Sequence, residues 1–286
     1  MVNDLLNAYV NRRIGEPTVI LSFRILLENH LENGVAARMT KTQIETKFNQ
    51  VHEQYGIATF RRDYVLRQCG HDENAIDQNS DLFFIKENFL DGMDEADYRQ
   101  VLAQIDAHWG GVRNQQQTLI SEIRDLISTG TIEDKRNYVA SMLTTREAIK
   151  RGQAFEVSSF AVLSTYLNTL GFSLNRFSTT YSNDGGIDFV AQNAVYQVTT
   201  KLSERKFEED IKKVPGKQRV FVYKDIVHGF NMENLNHELV VNHIGKNELI
   251  GYLDYLVGKN PERYLDRVLD AMITEFQREF YQNDTV

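Results

Sequence analysis

Only three prolines, Pro17, Pro215 and Pro261, punctuate the 286 residues of this chain, and glycine clusters are few. Proline breaks a helix interior because it lacks the N–H and its ring clashes with the preceding turn. Long helices are therefore permitted, and the apolar spacing says where they run. That spacing predicts a helix over 18–33, with Val19, Leu21, Phe23, Ile25, Leu26, Leu27 and Leu31 on a broad buried face and Gly34 as its C-cap. Thr40 followed by Gln43 has the form of a capping box and opens a second helix, with Ile44, Phe48 and Val51 on one stripe. Thr59 caps a third, short helix ended by Gly70, and SDLFFIKE reads as a strand with Phe83 and Ile85 on one side. Three helices and a strand in this order outline a winged-helix-like, mainly helical domain over residues 1–92. Its third helix would enter the major groove of duplex DNA, with Arg61, Arg62 and Arg67 on phosphates or guanines. A generic three-helix cap with solvated arginines would have the same outline.

Residues 93–144 read as a helical linker or dimerisation region, two amphipathic helices separated by Gly110-Gly111, with Trp109, the single tryptophan, as a core anchor. The single cysteine, Cys69, excludes an internal disulfide and a cysteine-built zinc site. Charged residues interrupt every apolar run short of a bilayer span, and MVNDLLNAYVNRRIGE lacks a signal core, so the expectation is a cytoplasmic protein with no membrane partner. The net charge of −8 does not exclude nucleic acid, because placement matters more than the sum. The stretch 196–224 is locally basic, with Lys201, Arg205, Lys206, Lys212, Lys213, Lys217, Arg219 and Lys224. Seven scattered histidines form no HExxH, and GxxxxGK[ST], GxSxG and GxGxxG are absent. His237 and His243 read as ordinary polar residues of a loop or terminal helix.

Chemistry-bearing residues concentrate after Gly152. A helix over 153–170, stopped by Gly171, carries Phe155, Val162, Leu163, Tyr166, Leu167 and Leu170 on its apolar face and Glu156 near its start. A possible strand (SLNRFST), a turn (SNDGG) and a hairpin of IDFVAQ and AVYQVTTK follow. Strand side chains alternate, so Asp188 points away from the side of Ile187 and Phe189, while Gln197, Thr199 and Lys201 share one face. Asp188 can therefore converge with that row, beside a helix offering a second carboxylate. Carboxylates that hold Mg²⁺ and a lysine that stabilises developing charge suit phosphodiester hydrolysis. FEEDIKKV then reads as an amphipathic helix and RVFVYKD as a strand, a crossover that would extend the sheet in parallel. From about residue 247 to 281 the chain is helical, with Pro261 at a favourable helix start.

Phe155-Glu156, Leu170-Gly171-Phe172, Gly185-Gly186-Ile187-Asp188 and Gln197-Val198-Thr199-Thr200-Lys201, in this order, resemble the PD-(D/E)XK nuclease superfamily, its Mrr-like and type II restriction branches above all. The resemblance covers about fifty residues. It implies an α/β (α+β) restriction-endonuclease-like core, a mixed central sheet flanked by helices, over residues 145–286. By position, Glu156 matches the helix acid, Asp188 the metal-ligand aspartate and Lys201 the catalytic lysine. The pattern expects an acid, or Gln in the Mrr-like branch, two residues before the lysine; Thr199 stands there, with Gln197 two further back on the same face. Either Gln197 is the ligand with shifted spacing, or Thr199 fills a weakened position, or the site is degenerate. The resemblance also implies phosphate contacts for Arg205, Lys206, Lys212 and Lys213.

The expectation is thus a sequence-specific, Mg²⁺-dependent double-stranded DNA endonuclease of type II restriction kind, with Mn²⁺ able to substitute. Asp188, Gln197 and Glu156 would serve the metal, and cleavage of both strands calls for a homodimer or higher symmetric oligomer. The competing expectations are a non-catalytic DNA-binding regulator on a degenerate nuclease scaffold, motivated by Thr199, and an interaction module built on the helical middle region.

Overall fold

The computed structural model describes residues 3–34, 37–55, 62–147, 152–176, 187–192, 194–213, 218–230 and 241–280. Two compact units divide the chain, one from residues 1–115 with 280–286, the other from 116–279.

In the first unit, α1 (Asp4–Arg13) precedes α2 (Pro17–Asn33). Pro17 supplies the fixed φ of a helix start, and Gly34 ends α2 at φ 79°, its N–H donating to His30 O at 2.8 Å. Every residue from Thr18 to Leu27 is buried, so α2 is the axis around which the unit packs. β1 (Met39–Thr40) leads into α3 (Lys41–Tyr55) through the expected capping box: Thr40 N–H donates to Gln43 Oε1 at 2.8 Å, and Gln43 N–H to Thr40 Oγ1 at 3.3 Å. Ile44, Phe48 and Val51 are buried as their stripe requires. α4 (Arg62–Leu66) and a turn to Gly70 at φ 81° follow; Thr59 and Arg61 lie outside the described residues. β2 (Ile76–Asn79) and β3 (Leu82–Ile85) form a hairpin, and β1 adds to the far side of β3, giving the order β1-β3-β2. Phe83 and Ile85 point into the core.

α5 runs unbroken from Glu95 to Thr129, through Gly110 and Gly111, which corrects the expectation of two helices separated there. Two glycines cost a helix about 1 kcal/mol each. Val101, Ile105 and Trp109 before them, and Leu119, Ile120 and Ile123 after them, are buried apolar residues that offset this cost. Residues 93–144 are accordingly shared: Val101, Ile105 and Trp109 belong to the core of the first unit, and Leu119 to Leu143 to that of the second.

The second unit adds α6 (Ile132–Thr144), α7 (Gln153–Thr169), β4 (Asn175–Arg176), β5 (Phe189–Ala191), β6 (Ala194–Leu202), α8 (Glu204–Lys213), β7 (Gln218–Ile226), β8 (Val241–Gly245), α9 (Lys246–Lys259) and α10 (Pro261–Phe280). Gly171 closes the α7 end at φ 83°. The sheet order is β4-β5-β6-β7-β8, antiparallel from β4 to β6 and parallel from β6 to β8. The parallel β6-α8-β7 crossover is as expected. β8 is not: its sequence VNHIG is too polar to announce a strand, and His243 sits in it, exposed, rather than in a loop or helix; His237 lies outside the described residues. One face of the sheet, with Phe189, Tyr196, Val198, Val220 and Val222, packs in a core with α6, α7, α9 and α10. On the other face Phe207 of α8 stacks on Phe221 at 4.8 Å. The fold is mixed α/β, mostly helical, with this five-stranded sheet and a small antiparallel one. Among the described residues no helix is long and apolar enough to cross a membrane.

Candidate functional site

The β5–β6 hairpin sets the geometry. Phe189 pairs with Tyr196 and faces the large core, so Asp188, one residue earlier, turns to the α8 side of the sheet beside Gln197. Its own N–H donates to Tyr196 O at 2.9 Å, extending the ladder by one residue and fixing its carboxylate. Asp188 Oδ2 accepts from Gln197 Nε2 at 2.9 Å and from the Val198 N–H at 2.6 Å. Gln197 is buried, and its Oε1 has no hydrogen-bond partner among the described residues. A buried carbonyl oxygen left unsatisfied beside a carboxylate is a costly arrangement unless a cation or water takes it up.

The other members of the row are further off. Thr199 is buried and its hydroxyl donates to the Lys201 carbonyl at 3.0 Å, along its own strand. Lys201 is exposed, four residues beyond Gln197, about 13 Å along the strand. Asp225, its register partner on β7, pairs instead with Lys246 at 2.6 Å. Lys201 has no ion-pair partner among the described residues. The structure thus brings Asp188 against Gln197 and sets Lys201 apart on the same face.

Glu156 is placed otherwise. Gly152 starts α7 at φ 82°, and a Cβ there would meet Thr200 Cγ2 at 3.2 Å, so the helix start is pinned against β6. Glu156 Oε1 then accepts from Arg176 Nη2 at 2.6 Å and Nε at 3.2 Å, while Arg176 Nη1 donates to Glu275 Oε2 at 3.0 Å. Arg278 adds a contact to Glu275 at 3.8 Å and donates to the Arg176 carbonyl at 3.3 Å. Arg176 pairs in register with Phe189, so this cluster occupies the face opposite to Asp188. Arg176 and Glu275 were not singled out from the sequence. The available signal was an arginine at an inward position of SLNRFST, two residues after buried Leu174. Two more buried charges stand on α8 and β7: Asp210 and Arg219, where burial lowers the Arg219 pKa against the opposing pull of Asp210.

Among the candidate DNA contacts, Arg62 and Arg67 are exposed, as is Arg205, which pairs with Glu209 at 3.8 Å. Lys206 is half-buried, and the Lys212 and Lys213 side chains lie outside the described residues with Arg61.

Among the described residues no three His, Cys, Asp or Glu side chains converge on a metal position. Asp188 and Gln197 nevertheless supply the oxygen chemistry a hard cation takes, a carboxylate and an orphaned carbonyl, with the Gln197 amide turned so that Nε2 rather than Oε1 meets Asp188. Mg²⁺ commonly takes only one or two protein oxygens and completes its shell with water and substrate phosphate. The Glu156 carboxylate, held by Arg176 on the opposite face, is not brought to that pair. Comparison of the chain with protein-family models, with characterised proteins and with solved structures gives no match.

Proposed function

We propose that the chain is a Mg²⁺-dependent endonuclease acting on double-stranded DNA, with a restriction-endonuclease-like catalytic unit and a winged-helix-like N-terminal unit. The observation that carries this reading is the Asp188–Gln197 pair, a carboxylate beside a buried, unsatisfied carbonyl oxygen at the start of a hairpin. Two topological observations support it. The order α7-β4-β5-β6-α8-β7, antiparallel and then parallel, suits a restriction-endonuclease-like core. The order α2-β1-α3-α4-β2-β3, with β1 paired to β3, suits a winged helix.

In this reading Asp188 and Gln197 hold the cation, and the departure at Thr199 is met by the shifted Gln197. The bound ion would lower the pKa of a water and neutralise charge on the scissile phosphate. Val198 N–H orients the Asp188 carboxylate. Lys201, exposed on the same face, meets the phosphate and stabilises charge as the water oxygen bonds to phosphorus and the ester P–O bond breaks. Glu156 is assigned to the neutralisation of Arg176 rather than to the cation. Two active sites are needed to cut both strands, so the functional unit is a symmetric oligomer.

A second reading, a non-catalytic DNA-binding protein, is favoured by one observation: Thr199 turns its hydroxyl to its own strand where a second acid would stand. Incubation of plasmid DNA with the protein in Mg²⁺, in Mn²⁺ and in EDTA separates the two. Metal-dependent cleavage lost in Asp188→Ala, with the thermal midpoint retained, is the expected result. Cleavage should fall about 10²–10³-fold in Lys201→Ala. Intact plasmid in both metals, with retarded DNA in a gel, would replace the nuclease by the binder.

A further inference from the structure

On the opposite face of the same sheet from Asp188 lies a cavity of about 360 Å³, between the C-terminal half of α7, the middle of α9, the first residues of β6 and β7 and the middle of β8. This is the lower end of the size range of small-ligand sites. Its lining is unusual for a crevice between helix and sheet. Tyr166 and Tyr252 stack face to face at 4.3 Å with their rings 22° apart, so each covers one face of the other, and Tyr196 and Val220 also line the cavity. Asn242 and Gln218 bring carboxamides to the edge. No residue of this set makes a side-chain hydrogen bond to another described residue, so its hydroxyls and amides are available. Burial raises the Tyr196 and Tyr252 pKa values, which keeps both hydroxyls protonated and able to donate.

The aromatic cluster continues outward into positive charge. Tyr255 meets Tyr166 edge-on at 5.5 Å, and Lys259 Nζ lies 5.0 Å from the Tyr255 ring centre. Arg263 and Arg267 lie over Tyr264 at 5.7 and 6.0 Å. Of the acids on α9 and α10, Asp254 pairs with Arg136 at 2.8 Å, Asp266 with Lys135 at 2.7 Å, and Glu248, whose charge is felt at Tyr252, accepts from the Gly245 N–H at 2.9 Å; Glu262 and Asp270 share α10 with Arg263 and Arg267.

We infer that this cavity is a nucleotide site: a nucleobase extends the Tyr166–Tyr252 stack by a third ring, with its edge read by Asn242, Gln218 and the tyrosine hydroxyls, and its phosphate turns outward to Lys259. A planar heteroaromatic ring with donors and acceptors on its edge uses both parts of the lining, and a phosphate uses the cationic rim. Base–aromatic stacking rewards a planar ring, a gain that an aliphatic ligand would forgo. The nucleotide can come from two sources, a free mononucleotide or an unpaired nucleotide extruded from DNA. The inference does not rest on the metal site, which lies on the other face.

Calorimetric titration of the full chain tests it, with adenosine and cytidine monophosphates, their parent nucleosides, and a duplex carrying one unpaired nucleotide beside its fully paired twin. At least one monophosphate should bind at millimolar concentration or below. Asn242→Ala, at an exposed position, should weaken it about tenfold with the thermal midpoint unchanged. Lys259→Ala should weaken monophosphates and leave nucleosides unaffected. Asp188→Ala should bind as the wild type does. Displacement of the monophosphate by the unpaired duplex and not by its twin assigns the site to extruded DNA bases, and binding of free monophosphate without that displacement assigns it to mononucleotides. The inference is overturned if no monophosphate or unpaired duplex binds at millimolar concentration, or if Asn242→Ala, Tyr252→Phe and Lys259→Ala all bind as the wild type does.

Discussion

Two clusters of polar residues lie on opposite faces of one sheet and are finished to different degrees. In the first, Glu156 and Glu275 share Arg176, with Arg278 closing the set; among the described residues two carboxylates meet two guanidinium groups. In the second, Asp188 accepts from Gln197 and Val198 among the described residues, while Gln197 keeps a buried oxygen unsatisfied. A saturated cluster has little left to offer a ligand and serves packing, tying α7, β4 and α10 together. An unsaturated one carries a standing cost that a bound cation or water relieves. Conventional emphasis on charged residues would have ranked these clusters the other way round.

The largest effect should come from opening the saturated cluster. Arg176→Met leaves two carboxylates facing each other around a buried position and should destabilise the chain by about 3–5 kcal/mol, read as a fall in the denaturant midpoint. Glu156→Gln should cost less and leave cation affinity as it was. A loss of cation binding in Glu156→Gln with the midpoint unchanged would return that residue to the metal site and erase the contrast. A smaller effect comes from closing the unsaturated cluster. Gln197→Glu sets a second carboxylate against Asp188 and removes the Nε2 donor, so in EDTA it should lose about 1–3 kcal/mol. Mg²⁺ or Mn²⁺ should restore that loss through preferential binding to the folded state. A midpoint that stays low in both metals would sink the two-donor assignment.

The smallest effect belongs to the other unit and serves as a control. His30 is buried in α2, edge-on to Tyr98 at 5.2 Å, and burial holds its pKa below the ordinary histidine value of 6.5, with the Gly34 backbone opposing more weakly. As pH falls through about 6.5 the unfolded histidine takes up a proton before the folded one. The stability present above that pH is therefore lost on acidification towards the folded value. Thermal melts between pH 8 and 5 should show this slope and a flatter one in His30→Gln. An equal slope in both would assign the sensitivity to other groups.

What the sequence made legible was local. The Pro17 start and Gly34 end of α2, the Thr40–Gln43 box and the α7 stop at Gly171 each depend on residues within a few positions. The Asp188–Gln197 meeting was legible for the same reason, since alternation on a short hairpin puts both on one face. β1 and β2 were not. β1 is two residues long, and the β2–β3 hairpin turns at Ser80-Asp81 with Ser80 at φ 56° and no glycine to mark it. Gly110-Gly111 misled because a propensity cost of about 2 kcal/mol yields to burial on either side. The Arg176–Glu275 contact spans 99 positions, and no window of local pattern reaches that far.

The difference in sequence separation has a consequence in time. Asp188 and Gln197 are nine residues apart on one hairpin, so they meet when that hairpin zips, on the order of microseconds. Arg176 must wait for Glu275, a partner 99 residues downstream on the final helix. The pair proposed for chemistry is an early product of folding, and the network that locks its surroundings is a late one. During synthesis on the ribosome, Asp188 and Gln197 are therefore written before the final helix that completes the network around them.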